Sequence, residues 1–333
     1  MESSKVGRPG FGLKTVLGAA LILAGLGIAL FGVPPWPYQH DLSFKQVEEL
    51  KPGDPGFPTL NASYPAESLR RYRVTQGETA SLTLDVVRYR KDGDTRSAII
   101  HLGDEPSSSA PNSKKIRQEL WTSAMEAVNK HTDEKALFLS WWDDAQRIDF
   151  STGRNTWTRV PTAAAFGGDP EKRLWEAVTG PYAADETRLR QLANWLAMDA
   201  GAALAEMAKA LPADTPVYFL ACLDDLARVS EVERLSGKKL GFEAALFPAS
   251  GDMHGQIAAV KRWAGEKGSG NYLVQQIPGQ GIRAWRITDA ATENTLLAKL
   301  LPFTGSLANP VPGLETVYQS PWGGYLTIFQ WQR

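Results

Sequence analysis

Between Thr15 and Val33 the chain reads TVLGAALILAGLGIALFGV, nineteen residues without one charged side chain. A helix rises ~1.5 Å per residue, so about 20 apolar residues cross a ~30 Å hydrocarbon core. Lys5, Arg8 and Lys14 precede the run, which places the N-terminus in the cytoplasm by the positive-inside rule. Trp36 and Tyr38 follow it as interfacial anchors. A cleaved signal peptide would have a shorter apolar region, ~7–15 residues, ending in a small-x-small site. This run ends in LFGVPPW, which favours an uncleaved anchor. No later stretch is long enough to span, so the sequence predicts a single-pass protein. Its cytoplasmic tail is 1–14, its transmembrane helix 15–33, and the rest lies beyond the bilayer.

The remainder reads as globular. The 333 residues are 43% hydrophobic and 22% charged, enough apolar material for a sizeable core. A formal net charge of −1 argues against a nucleic-acid binder, which needs a basic face to neutralise phosphates. Cys222 is the single cysteine, so no intrachain disulfide can form. It lies in an apolar run and reads as a core residue. The sequence has no CxxCH for covalent c-type haem, and its four histidines are scattered. No cofactor and no metal site is therefore expected.

Residues 34–80 are rich in proline and glycine and read as a linker, with a short helical piece near SFKQVEELK. From Ser81 onward strands and helices alternate. SLTLDVVRYR and SAIIHL read as strands, and 113–130 as a helix with Ile116, Leu120, Ala124 and Val128 on one face. KALFLSWW is the next strand. Asp169, Pro170 and Gly180 punctuate a compact helix, and DETRLRQLANWLAMDAGAALAEMAKALP reads as one long amphipathic helix. VYFLACL, FEAALFP, YLVQQIP, RAWRIT and YLTIFQWQR are further strands. The fold class expected is α/β: a largely parallel sheet covered by helices, with an antiparallel C-terminal end, over 81–333.

One pattern occurs twice. FLSWWDDAQRI (Phe138–Ile148) and FLACLDDLARV (Phe219–Val229) share Phe-Leu, Asp-Asp and Arg at an offset of 81. Each follows an amphipathic helix and a short turn, so the pair reads as a duplicated unit or as convergence on one structural solution. Duplication would divide the domain into halves of about 81–165 and 166–333. In open parallel sheets ligands bind beyond the carboxyl ends of strands. There Asp143, Asp144 and Arg147 would meet Asp224, Asp225 and Arg228, a crevice suited to a hard cation or to acid–base work with split pKa values. The plainer reading has the aspartates cap helices and pair with the arginines three or four residues on. Trp141 and Trp142 would point to opposite sides of a strand, for core packing or for ligand stacking.

Other motifs carry less. WWD begins like the WWDYG signature of oligosaccharyltransferase catalytic subunits, but Asp144-Ala145 follow in place of Tyr-Gly. GxSxG is absent. Ser250, Asp252 and His254 are too close in sequence for a triad, and Asp252 reads as the cap of the next helix.

The N-terminal anchor, LFLSWWDDAQRIDFSTGR, LDDLARVSEVERLSG, YLVQQIPGQGIRAWRI, LLAKLLPF and VYQSPWGGYLTIF together resemble the hydroxylamine oxidation protein HaoB family. That resemblance spans nearly the whole chain. It implies an inner-membrane, periplasm-facing accessory of a multihaem hydroxylamine oxidoreductase, acting in anchoring, assembly or docking. It supplies no catalytic residues. A docking face would use exposed Trp and Arg, the types enriched in hot spots. The alternative is a periplasmic ligand-binding or hydrolytic domain that uses the carboxylate crevice.

Overall fold

The computed structural model describes residues 42–76, 80–101, 111–249, 252–277 and 281–333. The expected cytoplasmic tail and transmembrane helix lie outside the described residues. Among the described residues no helix is long and apolar enough to cross a membrane.

Four strands come first: β1 (Leu42–Leu50), β2 (Ala66–Gln76), β3 (Ala80–Lys91) and β4 (Asp94–Ile100), an antiparallel meander in that order. Two of them replace the expected linker. The piece read as helical, near SFKQVEELK, falls almost wholly within β1. Its pairing with β2 skips Val47, because Gln46 faces Tyr72 and Glu48 faces Arg71. That bulge breaks the period-two alternation, so the apolar spacing imitates a helix. Glu48 and Glu49 meet Arg71 and Arg70 of β2 at 2.8 and 3.1 Å.

Helix α1 (Pro111–His131) leads to β5 (Leu137–Leu139), α2 (Trp142–Thr152) and β6 (Asn155–Thr156). Next come α3 (Asp169–Thr179), α4 (Thr187–Leu196), α5 (Ala200–Ala210), β7 (Val217–Cys222) and α6 (Val229–Ser236). Then β8 (Phe242–Pro248), α7 (Met253–Gly265), β9 (Tyr272–Ile277) and β10 (Gly281–Ile287) precede short helical turns, and β11 (Leu314–Gln319) and β12 (Leu326–Trp331) end the chain. The helix expected from Asp185 to Leu211 is two helices. Asp199 accepts hydrogen bonds from the N–H groups of Gly201 and Ala202, and so caps a fresh start at Ala200. Around that break Ala200 N–H donates to Asn294 O and Leu296 N–H to Met198 O.

The sheet is not largely parallel. A five-stranded sheet has the order β11-β12-β7-β5-β6, and only β7, β5 and β6 run parallel within it. The expected antiparallel end is present as β11 and β12 beside β7. A third sheet, β8-β10-β9, is antiparallel like the first. Strand–helix alternation misleads here because the helices often carry the chain from one sheet to another. α1 leaves the meander for the five-stranded sheet, and α6 leaves that sheet for the third.

β7 is buried at all six positions, as a central strand covered on both faces must be. One apolar core joins Tyr72 and Val86 of the meander to Phe138, Phe219 and Ile328, and on to Trp285 of β10. Trp142, Trp175 and Trp195 are its largest fully buried side chains. Each such ring removes about 150–250 Å² from water, which at ~25 cal/mol per Å² is worth about 4–6 kcal/mol before ordering costs.

Candidate functional site

β5 and β7 are parallel neighbours in the register Leu137↔Val217, Phe138↔Tyr218, Leu139↔Phe219. The two copies of the repeated pattern therefore lie side by side, and their Asp-Asp turns leave the same end of the sheet. Five of the six charged residues singled out by the sequence, all but Asp224, do converge. They do so inside the protein, as a salt-linked lattice.

Asp143 and Asp144 fall in the first turn of α2, but neither caps it. Trp141 holds the cap position, without a side-chain hydrogen bond. Arg228 reaches across from the second turn and donates from Nη2 to Asp143 Oδ2 at 2.9 Å, and from Nη1 to Glu231 Oε1 at 2.9 Å. Its guanidinium also lies 5.1 and 4.7 Å from the ring centres of Trp142 and Trp175. Arg147 donates to Asp144 and, from Nε, to the Ile99 carbonyl at 2.9 Å, with Trp121 beneath it at 4.8 Å. Arg147 thus pairs within its own turn as expected, whereas Arg228 leaves Asp224 and Asp225 and crosses between the repeats to Asp143.

Trp141 and Trp142 do not diverge. β5 stops at Leu139 and the helix begins at Trp142, so the alternation of an extended strand no longer applies. Both indole N–H groups donate to Glu231 Oε2, each at 2.9 Å. Both rings are buried, which leaves no face for a ligand to stack on.

The second turn is partly a cap. Asp225 Oδ2 accepts the N–H of Cys222 at 2.9 Å. Asp224 turns away from this set to Arg117 at 3.0 Å and to the Tyr325 hydroxyl. Asp144, Cys222 and Asp225 present three donor atoms within 4.8 Å of one another, the one such group among the described residues. The Cys222 thiol donates to Asp144 Oδ2 at 3.3 Å. Both oxygens of Asp144 are thus engaged, so the group reads as a hydrogen-bonded network and not as a set of open metal ligands.

Burial sets the protonation pattern. It pushes the Asp225 carboxyl well above the usual range, and the charge of Asp144 adds to this. It lifts Asp144 to about 7 despite the pull of Arg147. Asp143 is also desolvated, yet Arg228 and Arg147 together hold it below the ordinary carboxylate value. The Cys222 thiol is driven far up, first by burial and then by the carboxylates around it. Neighbouring carboxylates with opposite shifts are also how acid–base pairs are built. Here the cavity beside them, bounded by Ser140, Asp225, Arg228 and apolar side chains, has a volume of about 20 Å³. That holds about one water molecule.

Sequence reasoning missed Glu231, Arg117 and Tyr325. Glu231 had a signal, the Arg-x-x-Glu spacing from Arg228, together with the need of two buried indoles for an acceptor. Arg117 and Tyr325 are 107 and 101 residues from Asp224 and had none. Asp252 caps α7 as expected, accepting from His254 and Gly255. Of the tryptophans whose side chains are described none is exposed, so a Trp-based docking face is not found among them.

No curated protein matches the sequence. A crystal structure of the C. jejuni pglb C-terminal domain is similar at 10% identity and a TM-score of 0.37, over 63% of this chain and 99% of that one. The family described as HaoA-associated protein HaoB matches residues 11–331. On that match, which covers nearly the whole chain, the protein belongs to the HaoB family.

Proposed function

We propose that this protein is a membrane-tethered, periplasm-facing accessory of the hydroxylamine oxidoreductase HaoA, with no turnover of its own. The observation that carries the reading is the family match across residues 11–331, to proteins described as HaoA-associated. The buried state of Asp143, Asp144 and Asp225 supports it, because a 20 Å³ cavity admits no substrate of useful size. The anchor at 15–33 would confine the domain to the bilayer surface and raise the local concentration of its partner. The chain has one cysteine and no CxxCH, so covalent haem would belong to the partner.

The test is a mild-detergent pull-down of the tagged chain from native membranes, read by peptide identification and visible spectrum. HaoA peptides with a haem Soret band are expected. A colourless, partner-free preparation from membranes that contain HaoA would overturn the reading. Resistance of the chain to alkaline carbonate extraction, and its digestion by protease added to spheroplasts, check the anchor and the orientation separately.

A further inference from the structure

The far end of α2 carries a second charged cluster, which the docking reading does not use. Asp149, one turn from the helix end, is 2% exposed. Three donors saturate it: Tyr89 Oη and Arg96 Nη1 meet Oδ2 at 2.7 and 2.8 Å, and Lys91 Nζ meets Oδ1 at 2.6 Å. Lys91 also donates to the carbonyl of Gly153 at 3.1 Å. Gly153 closes the helix at φ 69°, the left-handed geometry in which its own N–H bonds back to Asp149 O.

Beside this cluster opens a cavity of about 350 Å³, walled by the β3–β4 turn, residues 155–160 and the start of α4. That volume suits a small molecule. Four cations line it (Lys91, Arg96, Arg159 and Arg188) against three carboxylates, Asp92, Asp149 and Asp185. All three carboxylates are already engaged, Asp149 as above, Asp185 by the backbone and side chain of Thr187, and Asp92 by Arg96 at 3.5 Å. Two of the guanidinium groups make no hydrogen bond among the described residues. Arg159 comes no nearer than 4.0 Å to Asp149. Arg188 is exposed, and its guanidinium rests on the Trp157 ring at 4.9 Å. Burial and the neighbouring Arg96 both lower the Arg159 pKa, the sign of a cation short of counter-charge.

A half-desolvated guanidinium without an acceptor is costly, and an oxyanion seated between two of them gains paired, charge-assisted hydrogen bonds. We propose that this cavity binds a small oxyanion, a carboxylate or phosphate group, between Arg159 and Arg188, with Trp157 as its apolar wall.

The experiment is calorimetric titration of the full chain in mild detergent with two probes, inorganic pyrophosphate and citrate. Saturable binding of either is expected, and the preferred probe tells phosphate from carboxylate. Arg159→Gln is expected to weaken binding at least about tenfold, and Arg188→Gln by a smaller factor. Arg262→Gln, on an exposed arginine of α7, leaves it unchanged. Because Arg188 is exposed, its substitution tests the site even where Arg159→Gln fails to fold. Absence of binding by both probes, or equal affinity in wild type and both pocket variants, overturns the proposal. So does loss of HaoA from the pull-down on Arg159→Gln without any binding of small anions, since that result assigns the surface to the partner.

Discussion

Arg228, from the second Asp-Asp turn, binds Asp143 of the first through an Nη2–Oδ2 contact of 2.9 Å, and both groups are buried. This bond ties the two repeated segments to each other. It also separates two kinds of carboxylate in the lattice, those that must be charged and those that must not.

Asp143 belongs to the first kind. Asp143→Asn leaves Arg228 and Arg147 without their shared counter-charge, and breaking a buried pair in this way costs about 3–5 kcal/mol. Asp225→Asn should cost less than about 1 kcal/mol, because a carboxyl that burial keeps protonated is well imitated by an amide that still accepts the Cys222 N–H. Chemical denaturation of both variants measures the contrast. Equal losses would remove the distinction.

Glu231 is the acceptor for two indoles and one guanidinium. Glu231→Ala strands both indoles and leaves Arg228 with Asp143 alone, and should cost about 3–5 kcal/mol, with altered near-ultraviolet circular dichroism from Trp141 and Trp142. Glu231→Gln keeps an oxygen for the indoles and loses the charge facing Arg228, so its loss falls between wild type and alanine. An alanine variant as stable as wild type would show that these bonds contribute little.

Asp144 gives the protein a pH signature. Its folded value of about 7 lies above the ~3.9 of an unfolded aspartate. Between those values the native state holds a proton that the unfolded chain has released, so this group's contribution to stability falls as pH rises. Asp149 acts in the opposite sense. Burial raises its pKa, but hydrogen bonds from Lys91, Tyr89 and Arg96 outweigh that, so its contribution is present above the unfolded value and lost in acid. Urea melts at pH 4.5 and 7.5 should therefore show a smaller decline for Asp144→Asn than for wild type. Parallel profiles would refute the assignment.

Cys222 is 1% exposed and its thiol is pushed far above the ordinary value by burial and by Asp144. A thiol reagent at pH 8 should label it only at the rate of global unfolding. Rapid labelling of the native protein would mean that the network opens.

Much of this was legible in the chain. β8 covers the same residues as FEAALFP, and Asp252 caps α7, because alternation and capping are local physics that few neighbours can override. The repeated FLxxxDDxxR pattern marked residues that meet in space, Asp143 with Arg228 and Asp144 with Asp225. Its role was not legible, since an Asp-Asp turn looks the same in sequence whether it faces water or lies beneath two tryptophans.

The sequence by itself determined the membrane-spanning expectation, the lack of a CxxCH motif, most strands and helices, and the resemblance that the family match bears out. Only the tertiary structure decided which sheet each strand joined, which arginine met which aspartate, and that the aspartate cluster is closed while the cavity beside Asp149 is open. Those outcomes depend on contacts between residues as far apart as Asp143 and Arg228, or Arg96 and Asp149. Charge pairing and burial are properties of neighbours in space, and a local reading of the chain does not contain them.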